Sequence, residues 1–222
     1  MRAISQGFGW MMGLWLALTI GLSPIQAAPL QAIADIRHQP PSTPVTVQGQ
    51  VTVPSGAFAS GTGDRGFAIQ DATAGIYIST PGNWQIGLDQ AIQVTGTVQD
   101  DGHGLLVLKP QGTDDLRSLD SMKLNEPRLV STGMVGEATE GELVRLVGAI
   151  VEPLRRDPPY GVGIMIDDGS GPVQVFVNET TGITIPDWTL GQRLKVQGFS
   201  GQYEQYIEVS PRVREDIVLI EN

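Results

Sequence analysis

One sequence pattern occurs twice in this chain, and the duplication limits the possible folds more than any other feature. In each copy, a β-prone run ending in Gly precedes a run ending in Asp, a hairpin turn and further β-prone runs. The first copy spans residues 45–108 and the second spans residues 143–209. Gly49 and Gly148 are 99 residues apart. The pair Asp71 and Asp167 is separated by 96 residues, and the pair Gly96 and Gly198 by 102. Because each copy is long enough to form its own core, we expect duplicated domains rather than a solenoid.

The composition and the local patterns predict an all-β fold. Glycine and proline are abundant, with 28 and 15 residues among 222, and no mature segment shows a long helical period. Apolar residues alternate in short runs such as Val45–Val47, and Asp- and Gly-rich turns separate the runs. We therefore predict two tandem five-stranded barrels, at residues 28–109 and 127–222, joined by a polar linker at residues 110–126.

The first 27 residues predict export. Arg2 is the only charge in this segment, and an apolar stretch over residues 8–22 leads to the small pair Ala27–Ala28. This arrangement is typical of a cleavable secretory signal peptide, and the stretch is short for a membrane span, which needs about 20 apolar residues. An uncleaved N-terminal anchor remains the alternative. Because the chain contains no cysteine, neither a lipoprotein anchor nor disulfides are expected, which suits a bacterial periplasmic or secreted protein.

Three phrases of the first copy resemble the OB-fold nucleic-acid-binding domains of exported bacterial nucleases and DNA-binding proteins. They occupy residues 45–54, 67–77 and 88–96, and the second copy matches more loosely. Both copies depart from the common OB plan, because the segments after the third strand are too short for the usual helix. We expect Trp84 and Trp188, which lie in these segments, to close the bottom of each barrel instead.

The resemblance implies a ligand-binding face on the second and third strands of each barrel. Alternation places Tyr77 and Gln70 on this face in the first barrel, and Gln174 and Phe176 in the second. Exposed aromatic rings on such a face can stack nucleic-acid bases, a contact worth about 1–3 kcal/mol for each base. The alternative is that each aromatic side chain covers core or a seam between the domains.

The charge argues against a general nucleic-acid binder, because non-specific affinity comes from clustered Lys and Arg. Residues 28–126 carry five basic and ten acidic side chains, and residues 127–222 carry eight and fourteen. The second unit nevertheless groups some of its basic residues near two tyrosines, and we consider these a candidate ligand patch: Arg155, Arg156, Arg193, Lys195, Tyr203 and Tyr206. The alternative is a solvated strand face that nearby acids such as Glu152 and Glu204 compensate.

No catalytic motif is recognisable in the sequence. The two histidines, His38 and His103, lie in turn-rich segments, and no nucleophile elbow, phosphate-binding loop or zinc-protease helix is present. Adjacent acids such as Asp167 and Asp168 supply too few oxygens for a calcium site and fit hairpin turns better. We therefore expect no enzyme activity, no cofactor and no metal.

Two functional hypotheses follow. In the first, the chain is an exported binding protein whose OB-type barrels engage single-stranded nucleic acid. In the second, it is an envelope module that holds a protein or a glycan. The resemblance favours the first hypothesis and the acidic charge favours the second.

Overall fold

The computed structural model describes residues 28–58, 61, 63–82, 84–122 and 126–220. The predicted signal peptide, residues 1–27, lies outside the described residues. Within these ranges, the chain has no helix of sufficient length and apolar character to cross a bilayer. In the described part of the chain, one short α-helix, α1 (Ile33–Ile36), and a few 3₁₀ turns accompany the strands, so the prediction of an all-β fold is confirmed there.

The first sheet is a closed barrel of OB type. Strand β1 pairs with β2 and β4, β2 pairs with β3, β3 pairs in parallel with β5, and β5 pairs with β4, which completes the ring. A sixth strand, β6, lies against β4. The bounds are β1 Pro44–Val53, β2 Phe67–Gln70, β3 Gly75–Ile78, β4 Ala91–Asp100, β5 Leu106–Lys109 and β6 Leu116–Leu119.

The second sheet repeats the same order of pairing. Strand β8 pairs with β10 and β12, β10 pairs with β11, β11 pairs in parallel with β13, and β13 pairs with β12. Strand β14 lies against β12 as β6 lies against β4. The bounds are β7 Arg128–Leu129, β8 Leu143–Ile150, β9 Arg155–Asp157, β10 Gly161–Asp167, β11 Val173–Asn178, β12 Arg193–Tyr203, β13 Tyr206–Ser210 and β14 Ile217–Ile220.

Each sheet encloses its own apolar core, built from the inward side chains of its strands. Trp84 packs against the first core and Trp188 against the second, in the segments where the usual helix is missing. Part of the predicted linker is structured, because β6 occupies residues 116–119 and Leu116 packs against the first core. The sequence hypothesis missed this strand because it considered only five strands for each unit.

A third apolar cluster joins the two barrels, and we call it the seam. Phe199 of β12 inserts among side chains of the first barrel, with its ring centroid 5.5 Å from Phe58 and 6.1 Å from Tyr77. Tyr77 is fully buried here. The seam consists of Val53, Ala57, Phe58, Ala68, Tyr77, Leu105, Val107 and Phe199.

Polar contacts surround the seam and fix the position of one barrel against the other. Arg37 donates to Glu140 at 2.7 Å, and the Leu143 backbone N–H donates to the Gln70 side-chain oxygen at 2.9 Å. Burial raises the pKa of Glu140 above its ordinary value, and the hydrogen bond from Arg37 opposes this rise. At another point the backbones meet, because a Cβ at Gly75 would lie 1.9 Å from the Gly141 carbonyl oxygen. Only glycine fits so close an approach.

We predict that Phe199→Ala lowers the free energy of unfolding by about 3–5 kcal/mol, because it leaves a cavity in the seam. Urea denaturation of the chain measures this loss. Phe176→Ala is the matched control, since Phe176 is half-buried on a different surface and should cost clearly less. A loss at Phe199 no larger than the loss at Phe176 would contradict the assignment of Phe199 to a tightly packed seam.

Candidate functional site

The face that the sequence predicted as a binding surface on the first barrel is closed. Alternation correctly places Ile76 and Ile78 in the core and Tyr77 on the other side of β3, but all three are fully buried. The expectation that Tyr77 is exposed is wrong, because the second barrel covers that side of the strand. Gln70 lies on the neighbouring strand and accepts its hydrogen bond from the second barrel. These two residues therefore belong to the contact between the barrels.

The corresponding face of the second barrel holds a depression of about 220 Å³. Strands β9, β10, β11 and β13 form it, and their registers place Arg155 opposite Gly163, Gly163 opposite Phe176, and Gln174 opposite Glu208. The inward residues of these strands, such as Ile164 and Val175, fill the second core. The depression is lined by Glu152, Pro153, Arg155, Gly163, Met165, Gln174 and Tyr206.

Arg155, which is exposed, and Tyr206, which is half-buried, contact each other at this site. The guanidinium carbon of Arg155 lies 5.6 Å from the centroid of the Tyr206 ring, within the range of a cation–π contact. Arg155 also donates to the Gln174 side-chain oxygen at 3.4 Å. These contacts hold a cation over the face of an aromatic ring at the edge of the depression.

Gln174 connects Arg155 to a carboxyl group that the sequence hypothesis did not select. The Gln174 amide donates to Glu208 Oε2 at 3.1 Å, so the three side chains form a hydrogen-bonded row. Burial raises the pKa of Glu208 to about 7, while Gln174, Arg155 and Ser210 act in the opposite direction. The sequence could have indicated Glu208, because it lies two residues after Tyr206 on β13 and therefore on the same side of the strand.

Most of the other predicted basic residues lie elsewhere. Arg156 follows Arg155 on β9 and pairs with Asp187 at 2.7 Å. Arg193 and Lys195 lie on the first half of β12, between β8 and β14, whereas β13 pairs with the second half of that strand. The structure therefore does not bring the four basic residues together in one patch.

Tyr203 lies at the border between the barrels. Its ring stacks on His103 of the first barrel, with the centroids 5.1 Å apart, and Glu204 is 3.8 Å from the same histidine. The hairpin that carries Tyr203 thus contacts the β4–β5 hairpin of the first barrel. Among the predicted residues, Arg155, Gln174, Phe176 and Tyr206 share the open face.

A larger depression of about 430 Å³ lies on the first barrel, beside the segment that precedes α1. Its carboxylate, Asp71, accepts hydrogen bonds from the backbone of Ile33, Thr73 and Ala74. This group is therefore engaged in holding the lead-in segment and the β2–β3 turn. Among the described residues, no group of three or more acidic or histidine side chains is arranged to hold a metal ion.

No protein family profile and no curated relative matches this sequence. A search of solved structures matches this chain to the p204 HINb domain, at 13% identity and a TM-score of 0.37, over 81% of this chain and 98% of that one. Another match is a murine DNA-binding protein bound to double-stranded DNA, at 9% identity and a TM-score of 0.39, over 80% of this chain and 97% of that one. At these identities and TM-scores, the similarity says nothing about the ligand of this chain.

The raised pKa of Glu208 predicts how stability depends on pH. The folded chain keeps this proton up to about pH 7, whereas an unfolded glutamate loses it near its ordinary pKa of 4.5. The contribution of Glu208 to the free energy of unfolding therefore falls as the pH rises from about 4.5 to about 7. We expect Glu208→Gln to stabilise the chain at pH 8 and to change little at pH 4, as measured by urea denaturation.

Glu152→Gln is the matched control, because Glu152 lines the same depression but is exposed. This variant should show no pH-dependent gain. A Glu208→Gln variant that is equally stabilised at both pH values would contradict the assignment of a raised pKa.

Proposed function

We propose that this chain is an exported, non-catalytic binding protein made of two tandem OB-type barrels, and that its ligand is a short stretch of single-stranded nucleic acid. In this proposal only the second barrel binds, through the face that carries Arg155, Gln174 and Tyr206. The observation that supports it is the difference between the two faces. The first is closed by the seam, and the second is open and presents an aromatic ring beside a cation.

Base stacking supplies most of the affinity in this proposal. A base on Tyr206 contributes about 1–3 kcal/mol, and Phe176 is half-buried on the same face. Phosphate contacts contribute little, because Arg155 is the one cation among the described residues that line the depression, and the chain has a net charge of −10. With one phosphate contact, raising the salt concentration from 50 to 200 mM lowers the affinity for a single strand only about threefold.

A glycan is the second candidate ligand, and Glu208 is the observation that favours it. A carboxyl group beside an amide and an aromatic ring offers hydrogen bonds to sugar hydroxyls and a surface for a sugar ring. The same carboxyl group repels phosphate when it is ionised. The two candidates therefore differ in what the row of Arg155, Gln174 and Glu208 recognises.

We predict saturable quenching of tyrosine and tryptophan fluorescence when an oligothymidine is titrated into the chain at low salt. Tyr206→Ala should weaken this binding about 5- to 150-fold, because it removes the stacking surface. Tyr206→Phe keeps the ring and should retain most of the affinity. Arg155→Ala should weaken binding, whereas its matched control, Lys195→Ala, should not, because Lys195 lies outside the site.

An absence of quenching at low salt would reject the nucleic-acid proposal. If the site then binds soluble oligosaccharides, with the same dependence on Tyr206, the glycan alternative replaces it. The proposal of export is tested separately, by the intact mass of the protein recovered from the periplasm or the medium of a bacterial host. Cleavage after Ala27 predicts a chain that begins at Ala28.

A further inference from the structure

The sequence singled out Arg193 and Lys195, and the proposed binding site uses neither residue. Both lie on the outer side of β12, where Arg193 is opposite Ile220 of β14 and Lys195 is opposite Val218. Residues opposite each other in a sheet have side chains on the same face. We call Arg193, Lys195, Val218 and Ile220 the β14 surface.

The β14 surface is exposed and combines apolar with cationic side chains. Val218 is 45% exposed and Ile220 is 37% exposed, whereas Ile217, on the inner side of the same strand, is fully buried. Arg193 and Lys195 are exposed, and in the described part of the chain neither has an ion-pair partner. On a chain with a net charge of −10, this is a local concentration of unpaired positive charge.

Strand β14 is also a sheet edge. It pairs with β12 on one side and ends the order of strands in the second sheet. Apart from its pairing with β12, the described backbone of β14 makes one hydrogen bond, in which the Ile217 carbonyl accepts from the Arg214 side chain. Free backbone groups on an edge strand can pair with another chain, and proteins commonly protect such edges with charged side chains.

The equivalent strand of the first barrel is protected in this way. Strand β6 pairs with β4 as β14 pairs with β12, and Asp115 and Asp216 occupy the same place just before the two strands. Arg117 and Val218 each follow the respective acid by two residues, so they occupy equivalent positions on the two edge strands. The first barrel thus has a charged side chain at the edge where the second barrel has an exposed valine.

We propose that the edge of β14 binds an extended acidic segment of a partner protein as an additional strand. An added strand lies about 10 Å from β12, two strand spacings away, so its outward acidic side chains meet those of Arg193 and Lys195. Its alternate side chains, which are apolar, point to the inner side of the sheet, next to Ile217 and Leu219.

The charges favour this occupant over a second copy of the chain. Antiparallel pairing of two β14 strands would bring the Arg193 and Lys195 side chains of one copy towards those of the other. Like charges at such a contact oppose association. An acidic strand has the opposite effect, and its attraction to the surface weakens as salt is added.

The test uses a labelled nine-residue peptide of alternating Val and Glu, with binding to the full chain followed by fluorescence anisotropy. We expect saturable binding that protects the β14 amides from hydrogen exchange. The charge reversal Arg193→Glu with Lys195→Glu should weaken binding on the order of tenfold, since it removes two attractive pairs and adds repulsion. The matched control is Arg117→Glu on β6, which should leave the affinity unchanged.

Three results would overturn the proposal. They are the absence of binding by the Val-Glu peptide, equal binding of a Val-Lys peptide, and binding that the charge reversal leaves unchanged. Sedimentation of the chain alone tests the other occupant. A dimer that Val218→Lys abolishes would assign the edge to a second copy instead. Because the β14 surface is separate from Tyr206, none of these outcomes depends on nucleic-acid binding.

Discussion

The packing of Phe199 against Phe58 and Tyr77 decides which face of each barrel is covered and which stays open. The two barrels have the same order of strands, yet the contact uses different parts of each one. The first barrel contributes the side of β3 opposite its core, and the second contributes β12. The seam therefore removes one binding face and leaves the other open. The polar contacts around it, from Arg37 to Glu140 and from Leu143 to Gln70, keep the barrels in this relation.

Much of the fold could be predicted from the sequence, because strand alternation and turn chemistry are local properties. Ile76 and Ile78 are core residues as expected, and Asp71 accepts hydrogen bonds from Thr73 and Ala74 in the β2–β3 turn. Alternation distinguishes the two sides of a strand, but it cannot distinguish solvent from another domain. Tyr77 illustrates this limit, since its side of the strand was predicted correctly and its exposure was not.

The candidate site could be predicted only in part, for a related reason. Gln174 was selected as an outward residue of the expected face and Arg155 and Tyr206 as members of the basic patch, and the strand registers bring the three together. Arg156, Arg193 and Lys195 were grouped with them because they are also basic. Arg156 points to the opposite side of β9 from Arg155 and pairs with Asp187. Arg193 and Lys195 lie on the first half of β12, whereas β13 pairs with the second half. Glu208 was missed although it lies two residues after Tyr206 on the same side of β13, because its raised pKa comes from burial, which the sequence does not show.

The duplication therefore does not give two equivalent binding sites. Two linked sites gain affinity through effective concentration only when both can engage the ligand at once, and here the first barrel's face is occupied by the second barrel. What the first barrel supplies instead is the apolar surface on which Phe199 packs. The edge strands differ in the same way, because Arg117 protects β6 while Val218 leaves β14 open. The seam therefore covers in the first barrel the face that stays open in the second.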